Sequence, residues 1–305
     1  MFRLAHISDP HLGPLPKVRL HELMNKRLLG YLSWQRKRRK IHRPEVLEAL
    51  LADIAEMRPD HLALTGDITN ISLPGEFEQS ANWLRRLGSP QDVTLVPGNH
   101  DAYVPLLWQA SWGLWQDYMA GDEEGIRRGP QGFDEFPFLR RRASLALIGL
   151  SSAQPTPLGI ASGTLGDAQL ARLEELLLAA GQQGLCRVVL VHHPPAGDVR
   201  WRKRLTDAEA FRQVLARAGA EIVLHGHDHT STREEIEGRD GLVPVFGIAS
   251  ASAAVAGKKP LAQYQIYAID RSAEGWRLEV TRRGYEPGTR AFTCREVSET
   301  LLPRS

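Results

Sequence analysis

Residues 221–230 read EIVLHGHDHT. A short apolar run ends there, and His225, His227 and His229 crowd into five positions. Imidazole gains little from burial, so three of them where a buried strand stops need a cause. Either satisfied core histidines have gathered by chance, or a cation requires neutral nitrogen ligands at that point. What ends the other apolar runs separates the two.

Similar runs rich in Val, Ile and Leu recur at 2–8 (FRLAHIS), 61–66 (HLALTG), 92–98 (DVTLVPG), 144–152 (SLALIGLSS) and 187–193 (RVVLVHH). Their length and near-continuous apolarity predict strands buried on both faces. Helical patterns lie between several of them. PEVLEALLADIAEM (44–57) starts with Pro44 at a first helical position and carries Val46, Leu47, Leu50, Leu51 and Ile54 on one face. DAQLARLEELLLAA (167–180) behaves alike, and TDAEAFRQVLARAG (206–219) offers a Thr206/Glu209 capping box and a closing Gly219. Strand–helix alternation predicts an α/β sheet. The runs at 242–252, 262–270 and 276–285 follow one another without a helix, which predicts a second, more antiparallel sheet.

The chain has 305 residues, 42% apolar and 24% charged, with a formal net charge of +2. That composition is ordinary for a globular protein, and no repeat or low-complexity linker divides it, so a single domain over 1–305 is expected. The only cysteines, Cys186 and Cys294, form no CxxC pair, which argues against a disulfide framework or a thiolate metal site. No signal-peptide stretch precedes Asp9, and no run nears the roughly 20 apolar residues that span a bilayer, so a cytoplasmic location is expected. Residues 102–140 hold Trp108, Trp112, Trp115 and Tyr118 followed by a Gly- and Arg-rich stretch, an aromatic helical insertion that either packs as a satellite cluster or walls a cleft.

Five of the six predicted strands end in metal-binding chemistry. The first ends at Asp9 and His11, the second at Asp67, and the third in Asn99-His100-Asp101. The fifth ends at His192-His193 and the sixth at His225, His227 and His229. In an open α/β sheet the carboxyl ends of the strands share the edge where ligands bind. In extended chain, residues two apart face the same way, so Asp9 with His11 and His227 with His229 would each aim inward together. Two carboxylates, one carboxamide and four imidazoles suit Zn, Mn or Fe, and seven donors exceed what one such ion takes. Two divalent ions sharing Asp67 would use them all. A lone buried histidine is usually structural, but that account would have to fail separately at several strand ends.

The series DPH (9–11), GD (66–67), GNHD (98–101), VHHP (191–194) and GHDH (226–229) resembles the calcineurin-like metallophosphoesterase family. HISDPHLG with HHPP is similar to its bacterial cyclic-nucleotide phosphodiesterase branch. The resemblance implies a four-layer α/β sandwich, two facing mixed β-sheets flanked by helices, with the antiparallel tail completing the second sheet. It implies that Asp9, His11, Asp67 and His229 hold one metal, and Asp67, Asn99, His192 and His227 the other. His193 would then pack or face the cleft, and His225 would end its strand or support a ligand. His100 would act at the leaving group or a phosphoryl oxygen, with Asp101 either orienting it or capping a turn. Gly66, Gly98 and Gly226 each precede a ligand, where tight turns are needed. The implied reaction is hydrolysis of a phosphodiester, a cyclic nucleotide or a lipid- or nucleotide-linked diester, by a metal-bridging hydroxide. A phosphomonoesterase or nuclease could use the same site, and a non-catalytic metal-binding scaffold is the reading from a different class.

One segment lies outside this scheme. KVRLHELMNKRLLGYLSWQRKRRK (17–40) sets Leu20, Leu23, Met24, Leu28, Tyr31 and Leu32 at helical spacing among nine basic residues, opposed only by Glu22. Such a basic helical insertion after the first strand suits three roles. It can cap the active site with a solvated basic end, contact an anionic membrane peripherally at the inner face, or attract a nucleic-acid backbone.

Overall fold

The computed structural model describes residues 1–122 and 129–303. Part of the Gly- and Arg-rich stretch within 102–140 therefore lies outside the described residues. β1 (Phe2–Ile7) leads into the basic insertion, which holds a 3-10 turn (Leu20–Leu23), α1 (Arg27–Ser33), a π-type turn (Trp34–Arg38) and α2 (Arg39–Ile41). Next come α3 (Pro44–Met57), β2 (His61–Leu64), α4 (Pro74–Leu87) and β3 (Val93–Leu95). Two 3-10 segments (Trp108–Ala110 and Trp112–Met119) precede β4 (Phe138–Arg142) and β5 (Leu145–Gly149). Then follow α5 (Asp167–Gln182), β6 (Cys186–Leu190), α6 (Ala208–Ala218) and β7 (Ile222–His225). β8 (Thr232–Glu237), β9 (Leu242–Gly247), β10 (Gln263–Arg271), β11 (Gly275–Glu286) and β12 (Ala291–Pro303) complete the chain.

These strands form two six-stranded mixed sheets, ordered β12-β11-β10-β1-β2-β3 and β4-β5-β6-β7-β9-β8. The period of two along each central strand explains how they stack. Leu145, Leu147, Val188, Leu190, Ile222 and Leu224 join the core shared with the first sheet. Their neighbours Ile148, Val189 and Val223 pack with Leu173 and Leu177 of α5 and Phe211 and Leu215 of α6. On the other side Leu47 and Leu50 of α3 and Phe77 and Leu84 of α4 are buried with the first sheet. Helices thus cover the outer faces, giving the expected α/β sandwich.

Two expectations need correction. The tail does not complete the second sheet: β10 pairs antiparallel with β1, from Phe2↔Ile269 to His6↔Gln265, so β10–β12 extend the first sheet. Only β9, parallel to β7, enters the second. The Thr206/Glu209 box is not formed, since Thr206 Oγ1 donates to the Gly163 carbonyl and α6 starts after Asp207. The Asp207 carboxylate instead accepts from the backbone of Leu165 and Gly166, tying α6 to the loop before α5. The aromatic insertion is built of 3-10 turns, and Trp112, Trp115 and Tyr118 are buried as a packed cluster. Trp112 Nε1 donates to the Asp101 carbonyl, which couples that cluster to the third strand end.

Candidate metal centre

β1, β2 and β3 in one sheet, and β6 and β7 in the other, end on loops that meet. The seven donors therefore come from both sheets, not from one edge. The i, i+2 geometry also differs from extended chain. Asp9, His11, Asp67, His227 and His229 have φ of 53°, 40°, 56°, 70° and 51°. Left-handed backbone at a non-glycine residue costs roughly 1–3 kcal/mol and persists only where surroundings enforce it. Here they do: Asp9 N–H donates to Gly66 O and His11 N–H to Asp67 O, both at 3.0 Å, and His227 N–H donates to Asp9 Oδ2 at 3.0 Å. A side chain at Gly226 would collide with Ser8 Oγ and Asp9 Oδ2, so this glycine allows close approach; among the three expected turn glycines only Gly66, at φ 92°, is left-handed.

Two groups of side chains share Asp67. His229 Nε2 lies 3.1 Å from Asp9 Oδ1 and 3.2 Å from His11 Nε2, which is 3.8 Å from Asp67 Oδ2. On the other side His192 Nε2 lies 3.4 Å from Asp67 Oδ1 and 3.2 Å from Asn99 Oδ1, and His227 Nδ1 lies 2.8 Å from the same Asn99 oxygen. His11 Nδ1 faces the Thr69 carbonyl at 3.1 Å and His192 Nδ1 the Thr65 carbonyl at 2.6 Å, so each carries a proton there and turns Nε2 inward. Metal-binding histidines are held in this way. Each Nε2 then faces carboxylate oxygens, an arrangement that a proton or a metal cation reconciles. Burial opposes a proton on His192, but the Asp67 carboxylate overrides it and pushes the pKa up to about 9. Burial alone would raise the Asp67 carboxyl, yet His192 and His100 hold it well below the usual range. The site demands positive charge, and two divalent cations fit the donor set.

The remaining residues divide by their contacts. His193 is saturated, with Nδ1 2.7 Å from Ser152 Oγ and Nε2 3.1 Å from the Ala161 carbonyl. His225 is buried with Nδ1 3.0 Å from the Gly226 carbonyl, and burial lowers its pKa to about 4. His100 Nδ1 donates to the Asn70 carbonyl at 2.5 Å, leaving Nε2 as its second reactive nitrogen. Burial, opposed by Asp67 and reinforced by Arg38, brings its pKa down to about 4. Asp101 does not orient the His100 ring. Its carboxylate accepts the backbone N–H of Asp67, Thr69 and Gly98 at 2.8, 2.9 and 2.9 Å, bracing two ligand loops. The buried Glu76 carboxylate does the same for Asn70, Ile71 and Leu73, fixing the loop after β2.

Two residues escape sequence reading. His42 is buried at the end of the insertion, with Nδ1 2.8 Å from Ser252 Oγ and its ring 4.6 Å from that of His11. Arg38 sets Nη1 3.1 Å from His100 Nδ1. Nothing local distinguishes Arg38 from its basic neighbours, and His42 is a lone histidine before a helix. Beyond the loops after β3 and β5, an apolar cavity of about 490 Å³ is lined by Val104, Leu106, Trp112, Phe133, Phe136 and Leu165 among others, and by none of the seven donors.

The calcineurin-like phosphoesterase model matches residues 2–231. The chain therefore belongs to the calcineurin-like phosphoesterase family. It is 26% identical over 203 residues to a probable cyclic nucleotide phosphodiesterase of Synechococcus, covering 65% of this chain and 68% of that protein. It is 29% identical over 198 residues to a glycerophosphodiester phosphodiesterase of Enterobacter lignolyticus, covering 63% of this chain and only 56% of that protein. Among solved structures, a dimetal phosphatase from Danio rerio superimposes with a TM-score of 0.61 at 13% identity, covering 100% of this chain and 99% of that one. A purple acid phosphatase from yellow lupin gives 0.63 at 10% identity, covering 98% and 53%. At these identities the structural likeness shows the fold alone.

Proposed function

We propose that the chain is a metal-dependent phosphodiesterase whose two divalent cations are held by Asp9, His11, Asp67 and His229 and by Asp67, Asn99, His192 and His227. The observation that carries this reading is the division of the Asp67 carboxylate, Oδ2 toward His11 and Oδ1 toward His192. A cation pair supplies charge neutralisation for phosphoryl oxygens and acidifies water near neutral pH. The preference for a diester draws support from the two relatives, both named as phosphodiesterases. Manganese, iron and zinc all suit the mixed oxygen and nitrogen donors.

The chain's own residues have distinct parts in this scheme. His100, with Nδ1 committed to Asn70, leaves Nε2 for a leaving or phosphoryl oxygen, and it would act as an acid there only once the substrate's negative charge raises its pKa from about 4. Arg38 adds a guanidinium beside it, suited to a phosphoryl oxygen. Asp101 braces the backbone from which Asp67 and Asn99 project, a positioning role. The core that joins both sheets supports treating the chain as one domain.

The test is hydrolysis of bis(p-nitrophenyl) phosphate by protein stripped with chelator and reloaded with manganese, iron or zinc. Metal-restored turnover faster than on p-nitrophenyl phosphate is expected. Undiminished activity in the stripped protein would sink the metal scheme, and a faster monoester would reassign the specificity.

A further inference from the structure

The insertion between β1 and α3 has two unlike faces. Its inner face is packed and tied down. Gly30 is buried so tightly that a Cβ there would lie 2.6 Å from Ile71 Cγ2, Trp34 is buried, and Arg27 Nε donates to the Ile71 carbonyl at 3.1 Å. Its outer face exposes Leu20, Met24, Leu28, Leu29 and Leu32, with Leu20 and Met24 88% and 84% exposed. Thirteen residues thus present five large aliphatic side chains, and no other described stretch of that length exposes more than two. Such a concentration needs an occupant.

The charge around it says which. Lys17 and Arg19 flank the start of the apolar row, and Arg36, Lys37, Arg39 and Lys40 follow its end, all exposed. None of these side chains forms an ion pair among the described residues. Leu28, Leu32 and Arg36 recur at four-residue intervals, so the row runs from aliphatic to cationic along one side of the insertion. Aliphatic side chains bordered by unpaired cations match the boundary between acyl chains and anionic headgroups. A nucleic-acid backbone would satisfy the cations and leave the leucines in water. A second copy of the chain would bring like charges together.

We propose that residues 20–40 dock this protein on an anionic lipid bilayer, with Leu20, Met24, Leu28, Leu29 and Leu32 entering the interface and Arg36, Lys37, Arg39 and Lys40 resting on headgroup phosphates. Because Arg38 of the same segment reaches His100, docking places the metal centre beside the bilayer surface. The docking itself is independent of which phosphoester is cleaved.

The experiment is flotation of the full chain at low salt with vesicles of phosphatidylglycerol and phosphatidylcholine, or of phosphatidylcholine alone. Two multiple variants accompany it, Leu20→Ser with Met24→Ser and Leu28→Ser, and Arg36→Gln with Lys37→Gln, Arg39→Gln and Lys40→Gln. The wild type should float with the anionic vesicles only. Each basic residue near an anionic surface is worth about a fivefold change in binding, so the charge variant should bind more than about a hundredfold more weakly. The serine variant should also fail to float. Wild type that stays at the bottom, or variants that float equally well, overturn the proposal. So does a concentration-dependent dimer abolished by the serine variant, or a gel shift with duplex oligonucleotide in the absence of flotation. Hydrolysis of bis(p-nitrophenyl) phosphate should be unchanged in both variants. Its absence in every protein, with flotation intact, would count against the phosphodiesterase reading and leave the docking standing.

Discussion

His192 points Nε2 at Asp67 Oδ1 at 3.4 Å, while its Nδ1 faces the Thr65 carbonyl at 2.6 Å. Both side chains are almost wholly buried, so the carboxylate charge needs a positive partner there, an imidazolium proton or a metal ion. The other Asp67 oxygen, Oδ2, lies 3.8 Å from His11 Nε2, so in the proposed scheme one carboxylate would serve two positions.

Asp67→Asn keeps the shape of that side chain and removes its charge. Both cation positions should weaken together. Loss of an outer partner alone typically costs about 10–100-fold in metal affinity or activity, so hydrolysis should fall by at least about 100-fold. Elemental analysis after gel filtration reads the metals directly, and full retention of both would contradict a bridging role.

His100→Ala should behave differently. The His100 backbone N–H donates to Asp67 Oδ1 and is unaffected by the substitution, so metal content should persist. Loss of the imidazole should lower kcat by about 10²–10⁴-fold, the range for a positioned acid or base. A drop in bound metal matching the drop in rate would show that His100 acts as a ligand instead.

The pH dependence of stability has a component remote from the metal centre. His61 is buried beside Thr94, Nε2 to Oγ1 2.7 Å, and burial, aided by Arg142 and Arg140, lowers its pKa to about 3. Between that value and the ordinary 6.5 the unfolded chain binds the extra proton, so stability falls as pH drops through 6.5 toward 3. By pH 5 this one histidine should account for about 2 kcal/mol of lost stability relative to pH 8. Urea midpoints of wild type and His61→Gln at the two pH values isolate the effect, and parallel pH profiles would disprove it.

At the other end of β6 the side chains of Arg187 and Glu221 are paired and buried, with Nη2 to Oε1 2.7 Å and Nε to Oε2 3.0 Å. Glu221→Ala leaves a buried guanidinium without its carboxylate, which costs about 3–5 kcal/mol. Thermal unfolding should reveal that loss, while folded variant should retain wild-type metal content. An unchanged midpoint would show the pair to be dispensable.

The candidate site residues were legible because each lies close after an apolar run. Burial on both faces leaves a strand signature that survives without any knowledge of neighbours, and Asp9, Asp67, Asn99, His192 and His227 all sit just beyond such runs. Polar edge strands carry no such signature: β8 reads TREEIE and buries only Ile236, so it passes for loop.

Order along the chain therefore determined which side chains could meet, the alternation of strand and helix, and the doubled donor set. Tertiary structure alone decided that β10 pairs with β1, that Asp101 braces backbone instead of a ring, and that Arg38 and His42 reach the centre. Those outcomes depend on contacts between segments as far apart as Phe2 and Ile269, whose register no local pattern encodes. The left-handed backbone at five donors has the same origin, since strain of that kind exists only where the surrounding fold holds it in place.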